Sequence, residues 1–336
     1  MDNLFKIRAL TAAVNKMVAP ARRIYNRYFQ PKEHLEPTDR LAFDIITGSE
    51  RLLGNISVVA PATVTGKTGR QTVTMTAPRL SHKRVIHASD LNALRAYGQQ
   101  TQVELMATRL AIEQRDMRNM VDRTMEYWAC GALKGQIYDA DLSTVLVDYG
   151  MAATHTPTLT GTNLWTNASS KPVERLRSYM KTIEDDSYAT ITGWEAWVGS
   201  SVMDALLSHS AVLDLLKYQG GVQIAETGRI SLLAGVRIEE YNASFTDSEG
   251  NRKRMIDEDR ILLIGLCDDL VDTPYAPIVD HKAPGGVGNT DANGAGVMFY
   301  SASWEEEDPP GRWIKVEARP LPVLQRPGAV IYAKVV

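Results

Sequence analysis

The sequence predicts an α+β fold, and three observations carry the prediction. Between Gln102 and Leu133, apolar residues recur at intervals of three, four or seven (Val103, Met106, Leu110, Met117, Val121, Met125, Trp128, Ala132), the spacing of one helix face. Between Ile56 and Thr76, two β-branched runs flank Gly66-Lys67-Thr68-Gly69, the pattern of a hairpin with a glycine-bearing tip. From Val173 to Leu270, helical stretches precede strand-like ones, an order that suits α+β rather than alternating α/β proteins.

At 336 residues the chain is long enough for a substantial core and for two domains. A net charge of −3 leaves no basic excess with which to grip nucleic acid electrostatically. The only cysteines, Cys130 and Cys267, are far apart, which argues against a disulfide scaffold and for a reducing compartment during folding. Each reads as a small buried hydrophobe. No stretch approaches the roughly 20 uninterrupted apolar residues of a membrane span.

Met1 to Val18 carries Leu4, Ile7, Leu10, Val14 and Met17 at helical spacing with Lys6, Arg8 and Lys16 between them. That is an amphipathic stripe and not the continuous block of a signal peptide, so this end docks either on its own domain or on a neighbouring chain. The polar, proline-containing stretch from Tyr28 to Arg40 crosses a surface in extended form, and Leu41 to Ile46 is a strand. Within the long helix, roughly 45 Å at about 1.5 Å per residue, Arg109, Glu113, Arg115, Arg118, Asp122 and Arg123 are assigned to the polar surface. Met151 to Ser170 is a loop. Lys171–Glu184 and Ser200–Lys217 are amphipathic helices, while Ser231–Tyr241 and Ile261–Leu266 are strands around the polar turn 246–254. Asp280 to Gly296 is a glycine-rich loop, "SWEEEDPPGR" connects strand-like Val297–Tyr300 to Trp313–Ala318, and the C-terminal residues are short strands broken by prolines, at a sheet edge or between strands.

A search for chemistry returns little. Gly66-Lys67-Thr68 matches the end of a phosphate-binding loop, but the position five residues before Gly66 is Pro61, which has no N–H to offer and a fixed φ. The residues from Gln71 to Thr76 are rich in β-branched side chains, whereas a phosphate loop opens into a helix. A nucleotide-dependent enzyme is thus a remote alternative, and loss of nucleotide binding in Lys67→Ala is its test. His82 and His87 fall on opposite faces of a strand and lack a carboxylate or cysteine cluster for zinc. Asp280-His281 has no nucleophile elbow to serve. Asp291, Asn293 and Gly294 resemble a fragment of a calcium loop without its remaining ligands. No catalytic residue, cofactor site or metal site is assigned. The acidic run Glu305, Glu306, Glu307 and Asp308 is either a solvated loop or an edge that meets a basic patch on another chain, for which Arg252, Lys253 and Arg254, or Lys83 and Arg84, are the candidates. With Lys67 and Arg70 at the hairpin, these are the candidate contact residues. Protrusions of this kind serve contacts between chains.

The order of these elements resembles the major capsid proteins of tailed bacteriophages, with their HK97-like fold, and most nearly the lambda-type major head protein family. The resemblance rests on "ISVVAPATVTGKTG" (56–69), "GALKGQIYDAD" (131–141), "DDLVDTPYAPIVD" (268–280) and "RPLPVLQRPGAVIYAKVV" (319–336), and on their spacing along nearly the whole chain. It implies an N-terminal arm (1–40), an E-loop hairpin region (41–88), a peripheral domain with the spine helix (89–172, the helix at about 102–134), an axial domain (173–270), and a return to the peripheral domain with C-terminal β segments (271–336). It also implies a non-enzymatic subunit that self-assembles into hexamers and pentamers of an icosahedral shell. Neighbouring capsomers would be joined through the E-loop and the arm, with scaffold, portal and decoration proteins as further partners. The shell would enclose double-stranded DNA without sequence-specific binding and without a membrane, in a virion assembled in the host cytoplasm. Some relatives link an E-loop lysine to an asparagine of another subunit; nothing here identifies such a partner for Lys67, which reads as an interface or surface charge. An encapsulin-like compartment shell is the alternative, distinguishable by a cargo enzyme in place of portal and terminase genes nearby.

Overall fold

The computed structural model describes residues 6–17, 22–46, 70–87, 102–216, 228–247, 249–284, 296–307 and 311–336. The Gly66-Lys67-Thr68-Gly69 tip, most of the glycine-rich loop with Asp291, Asn293 and Gly294, and Asp308 lie outside these residues.

Helix α1 (Ile7–Lys16) leads through a wide helical turn (Tyr25–Phe29) to β1 (Glu33–Leu35), β2 (Arg40–Ile46), β3 (Arg70–Thr76) and β4 (Leu80–His87). The long helix α2 (Gln102–Lys134) comes next, then β5 (Gln136–Tyr138), β6 (Val145–Asp148), α3 (Pro172–Asp186), β7 (Gly193–Val198), α4 (Ser200–Ser208) and α5 (Ser210–Leu216). Ten strands complete the path. They are β8 (Leu232–Leu233), β9 (Val236–Glu240), β10 (Ser244–Thr246), β11 (Arg252–Arg254), β12 (Arg260–Leu266), β13 (Val271–Tyr275), β14 (Phe299–Glu306), β15 (Gly311–Ala318), β16 (Val323–Leu324) and β17 (Val330–Lys334).

The chain forms two compact units. The first gathers Met1–Ala42, Thr74–Ala129 and Thr273–Val323. Its antiparallel sheet runs β14-β15-β4, with Phe299 opposite Ala318 and Val316 opposite His82. The predicted apolar stripe of α2 is buried here: Leu110, Met117, Val121, Met125 and Trp128 are each at most 4% exposed. The expected connector 303–312 is shorter than the sequence suggested, because Ser303 to Glu306 continue β14 and Gly311 already pairs in β15. Cross-strand stacking of Trp304 on Trp313, ring centroids 6.3 Å apart, favours that extension.

The second unit comprises Phe43–Val73, Cys130–Asp272 and Leu324–Val336. Its five-stranded sheet is ordered β17-β12-β7-β9-β8, and β7–β9 is a parallel pair among antiparallel ones. Strand β12 lies inside the sheet, which is why Ile261 to Ile264 can be an unbroken apolar run with every residue buried. Helices α3 and α4 add Leu176, Ile183, Val202 and Leu206 to the same core. As expected of its proline-punctuated sequence, the C-terminal segment places β17 at the sheet edge, with Pro320, Pro322 and Pro327 outside the strands. The single helix expected over Ser200–Lys217 is two, because His209 adopts an extended backbone (φ −75°, ψ 119°) between α4 and α5.

Gly199, which precedes α4, is required for want of space. Backbone atoms of Asp257 and Glu258 stand where a Cβ would lie. Gly199→Ala is expected to destabilise this unit by about 1–3 kcal/mol through overpacking. Gly193→Ala, whose Cβ would first meet Leu266 Cδ1 at 3.4 Å, should change the urea midpoint little. Equal midpoints for the two variants would contradict the steric account.

Candidate intersubunit surfaces

In the first unit the N-terminal segment is fastened to a second, polar stripe of α2. Gln114, Arg118, Asp122 and Glu126 succeed one another at four-residue steps and so share a helix face. All four are buried, as are Glu113 and Arg22. Arg22 Nη1 and Arg118 Nε each lie 3.0 Å from Asp122, and Arg118 Nη1 donates to the Val14 carbonyl at 3.1 Å. Glu126 accepts the backbone N–H groups of Ile24 and Tyr25 at 3.0 and 2.8 Å. The guanidinium of Arg118 sits 3.2 Å from the centre of the Phe299 ring, and that of Arg22 4.5 Å from the Tyr25 ring, so both cations also have an aromatic face. Burial pushes the Arg118 pKa down, and the Asp122 carboxylate beside it pulls in the opposite direction. The assignment of Glu113, Arg118 and Asp122 to the polar surface is therefore corrected: their partners lie up to about a hundred positions away along the chain.

Helix α1 covers an edge strand. Thr11 Oγ1 donates to the Ser301 carbonyl and accepts from the Ser301 N–H, both at 3.2 Å, and Asn15 Nδ2 donates to the Phe299 carbonyl at 2.8 Å. Those are outward backbone groups of β14, the first strand of its sheet, and capping them removes a template for strand pairing. Of the two docking partners the sequence left open for this end, the structure gives its own unit.

Several of the candidate contact residues have partners within the chain. Glu305 accepts from Arg312 at 2.6 Å and Glu306 accepts from the Trp313 indole N–H. Glu307 lies in the turn after β14. Lys83 Nζ stands 4.7 Å over the Trp313 ring, and Arg84 pairs with Glu113 at 2.8 Å. Deeper in the same sheet, Glu317 accepts from Arg79 Nε and Nη2, each at 2.8 Å, and from Lys315 at 3.0 Å. Asp280 takes the Tyr300 hydroxyl at 3.1 Å and Lys315 at 3.3 Å, a structural assignment in place of a catalytic pair with His281.

In the second unit Arg252, Lys253 and Arg254 constitute β11, paired antiparallel with β10. Arg252 donates to Ser244 Oγ at 2.7 Å, Lys253 lies 3.1 Å from Asp247, and Arg254 lies 3.0 Å from Glu258. Arg252 and Lys253 remain exposed and Arg254 half-buried, so these pairs leave the cations open to a further partner. Arg70 opens β3, which pairs with β2. The register is antiparallel: Ala77 N–H donates to Asp39 O at 3.2 Å in the first unit, and Thr72 Oγ1 to Asp44 at 2.5 Å in the second. That pairing brings Ile46 and Arg70, the described residues on either side of 47–69, to the same end of the β2–β3 ladder. The strand over Arg70–Thr76 occupies the position where a phosphate loop needs a helix.

His82 and His87 are on opposite faces of β4, and burial together with the Arg84 charge lowers the His82 pKa. Among the described residues no group of three histidine, cysteine or carboxylate side chains is placed to hold a metal, and no helix is long and apolar enough to cross a membrane. Cys130 is buried as expected, whereas Cys267 is half-buried.

No curated protein matches the chain by sequence. Solved structures do match by shape. A proposed prophage capsid protein of E. coli CFT073 aligns at 16% identity over 98% of this chain and 99% of its own, with a TM-score of 0.65. A phage-related protein of Bordetella bronchiseptica RB50 aligns at 12% identity over 97% and 96%, with a TM-score of 0.57. The mature capsid protein of bacteriophage PhiM1 aligns at 14% identity over 95% and 87%, with a TM-score of 0.50. The fold is HK97-like, as the order of elements predicted. The family model described as phage major capsid protein E matches residues 6–335, and a chain matched over that span belongs to the phage major capsid protein E family, as a shell-forming subunit.

Proposed function

We propose that the chain builds an icosahedral head from hexamers and pentamers around packaged double-stranded DNA. In this reading residues 1–40 are the arm, 41–88 the E-loop region, 89–172 and 271–336 the peripheral domain with α2 as its spine, and 173–270 the axial domain. Lys67 and Arg70 on the loop, Arg252 to Arg254 on β11 and the acidic run 305–308 meet neighbouring copies. The observation that carries it is the antiparallel pairing of β2 with β3, the two-stranded stem that an E-loop reading requires. Many modest contacts of such projections add up to a tight shell by avidity. The near-neutral charge suits a wall that encloses DNA without gripping it.

The test is assembly. The purified chain, alone or with a scaffold protein, is expected to form closed particles tens of nanometres across by electron microscopy. Replacing residues 51–69 with a short Gly-Ser linker should abolish particles while leaving the circular dichroism spectrum unchanged. A chain that stays monomeric under every assembly condition, or a loop-deleted chain that still closes shells, would refute it.

A further inference from the structure

We propose that the outer half of β14 pairs, strand to strand, with β11 of a second copy of this chain. The proposal rests on the reading of the chain as a shell subunit and names the partner of its acidic run. Helix α1 caps only the beginning of the β14 edge. Thr11 engages the N–H and C=O of Ser301, so strand alternation points the backbone groups of Ser303 and Glu305 the same way. Strand β15 lies on the other side, and among the described residues no hydrogen bond reaches those outward groups. Strand β11 is open in the same manner. The Asn251 carbonyl accepts from Asp247 N–H and Met255 N–H donates to the Ala243 carbonyl, so Asn251, Lys253 and Met255 face β10. Arg252 and Arg254 therefore turn their backbone groups outward, and among the described residues these too are unpaired.

Charge decides which edges meet. Glu305 and Glu306 end β14, Glu307 lies in the turn behind them, and β11 is cationic throughout. Two β14 edges brought together would crowd carboxylates, and two β11 edges would crowd guanidinium groups, so self-pairing is disfavoured in both cases. The mixed pairing is attractive. Internal partners leave the charges available: the Glu305 side chain stays 72% exposed beside Arg312, and that of Lys253 50% exposed beside Asp247. With Glu305 opposite Arg252 and Ser303 opposite Arg254 in an antiparallel register, Lys253 falls opposite Trp304. Trp304 is 41% exposed, and Lys83 already stands 4.7 Å over Trp313, the ring on which Trp304 stacks. A second ammonium on the same pair of rings suits the exposed indole. Such a contact is heterologous and runs on from copy to copy, as a ring of subunits needs.

Paired cysteines in the full-length chain test the contact. Residues opposite one another in a hydrogen-bonded antiparallel pair have Cα atoms about 5.5 Å apart, within reach of a disulfide. Ser303→Cys with Arg254→Cys is expected to give a ladder of dimers and larger oligomers on non-reducing gels after treatment with oxidised glutathione. Dithiothreitol should collapse the ladder, and neither the parent nor either single variant should form it. Adding Glu305→Lys should abolish the ladder, and adding Arg252→Glu to that variant should restore it, with melting curves showing that each variant is folded. No ladder, a bridge closed within one chain, Ser303→Cys dimerising with itself, or a ladder indifferent to charge reversal would overturn the pairing. The ladder is scored on the soluble chain as well as on particles, so failure of the parent to close particles counts against the shell reading alone.

Discussion

Asp122→Ala is expected to lower the stability of the first unit by about 3–5 kcal/mol, the cost of leaving buried charge uncompensated. Asp122 is 0% exposed and bridges Arg22 and Arg118, each 3.0 Å away and themselves about 95% buried. Neither arginine can shed its charge. The Val14 carbonyl, the Phe299 ring and Met125 Sδ at 3.7 Å from Arg22 soften the loss without neutralising it. A substitution that removes all three charges at similar volume, Arg22→Met, Arg118→Met and Asp122→Leu, should lie closer to the parent than Asp122→Ala does, since a buried triad returns little net energy over an apolar packing. Denaturant midpoints of the transition that includes this unit, at unchanged slope, measure both. A change below about 1 kcal/mol in Asp122→Ala would mean that water reaches the arginines.

This triad also marks where the sequence stopped being legible. The apolar stripe of α2 was readable because helix periodicity is local: Leu110, Met117, Val121, Met125 and Trp128 are buried as their spacing demands. Its polar stripe was misread because nothing near Arg118 or Asp122 in the sequence announces Arg22 or Val14 as partners. Four-residue spacing puts Gln114, Arg118, Asp122 and Glu126 on one face, but a polar helix face ordinarily meets solvent, so the spacing alone named no partner. Strand β7 was missed for a related reason. Gly193–Val198 is six residues between two helices, and the alternation of Trp194, Ala196 and Val198 towards one core is too brief to stand out until β12 and β9 flank it. The contact candidates Arg252–Arg254 and Glu305–Glu307 were found by charge density, which says that a partner exists without saying on which chain.

Glu317→Gln is expected to cost about 3 kcal/mol at neutral pH, and the cost should shrink as the solution is acidified. Glu317 is 0% exposed on β15 and holds three charge-assisted hydrogen bonds, two from Arg79 at 2.8 Å and one from Lys315 at 3.0 Å. Gln presents a single acceptor oxygen and sets an amide against one of those cations. The estimate sits at the low end for a buried pair because Arg79 is 51% exposed and can turn to water. Burial alone would raise the Glu317 pKa, but the hydrogen bonds and charges of Arg79 and Lys315 outweigh it, and the net direction is downward. A folded value below the unfolded one means that the carboxylate stabilises fully above the ordinary glutamate range, about 4.3, and that this contribution is lost as pH falls through the lower folded value. Asp280, also lowered on balance through Lys282 N–H, Tyr300 and Lys315 against its own burial, adds loss in the same window. Unfolding free energies of parent and Glu317→Gln measured from pH 7 downward should therefore converge below the ordinary carboxylate range. A gap that stays constant to the acid limit would mean that Glu317 stabilises by shape and not by charge.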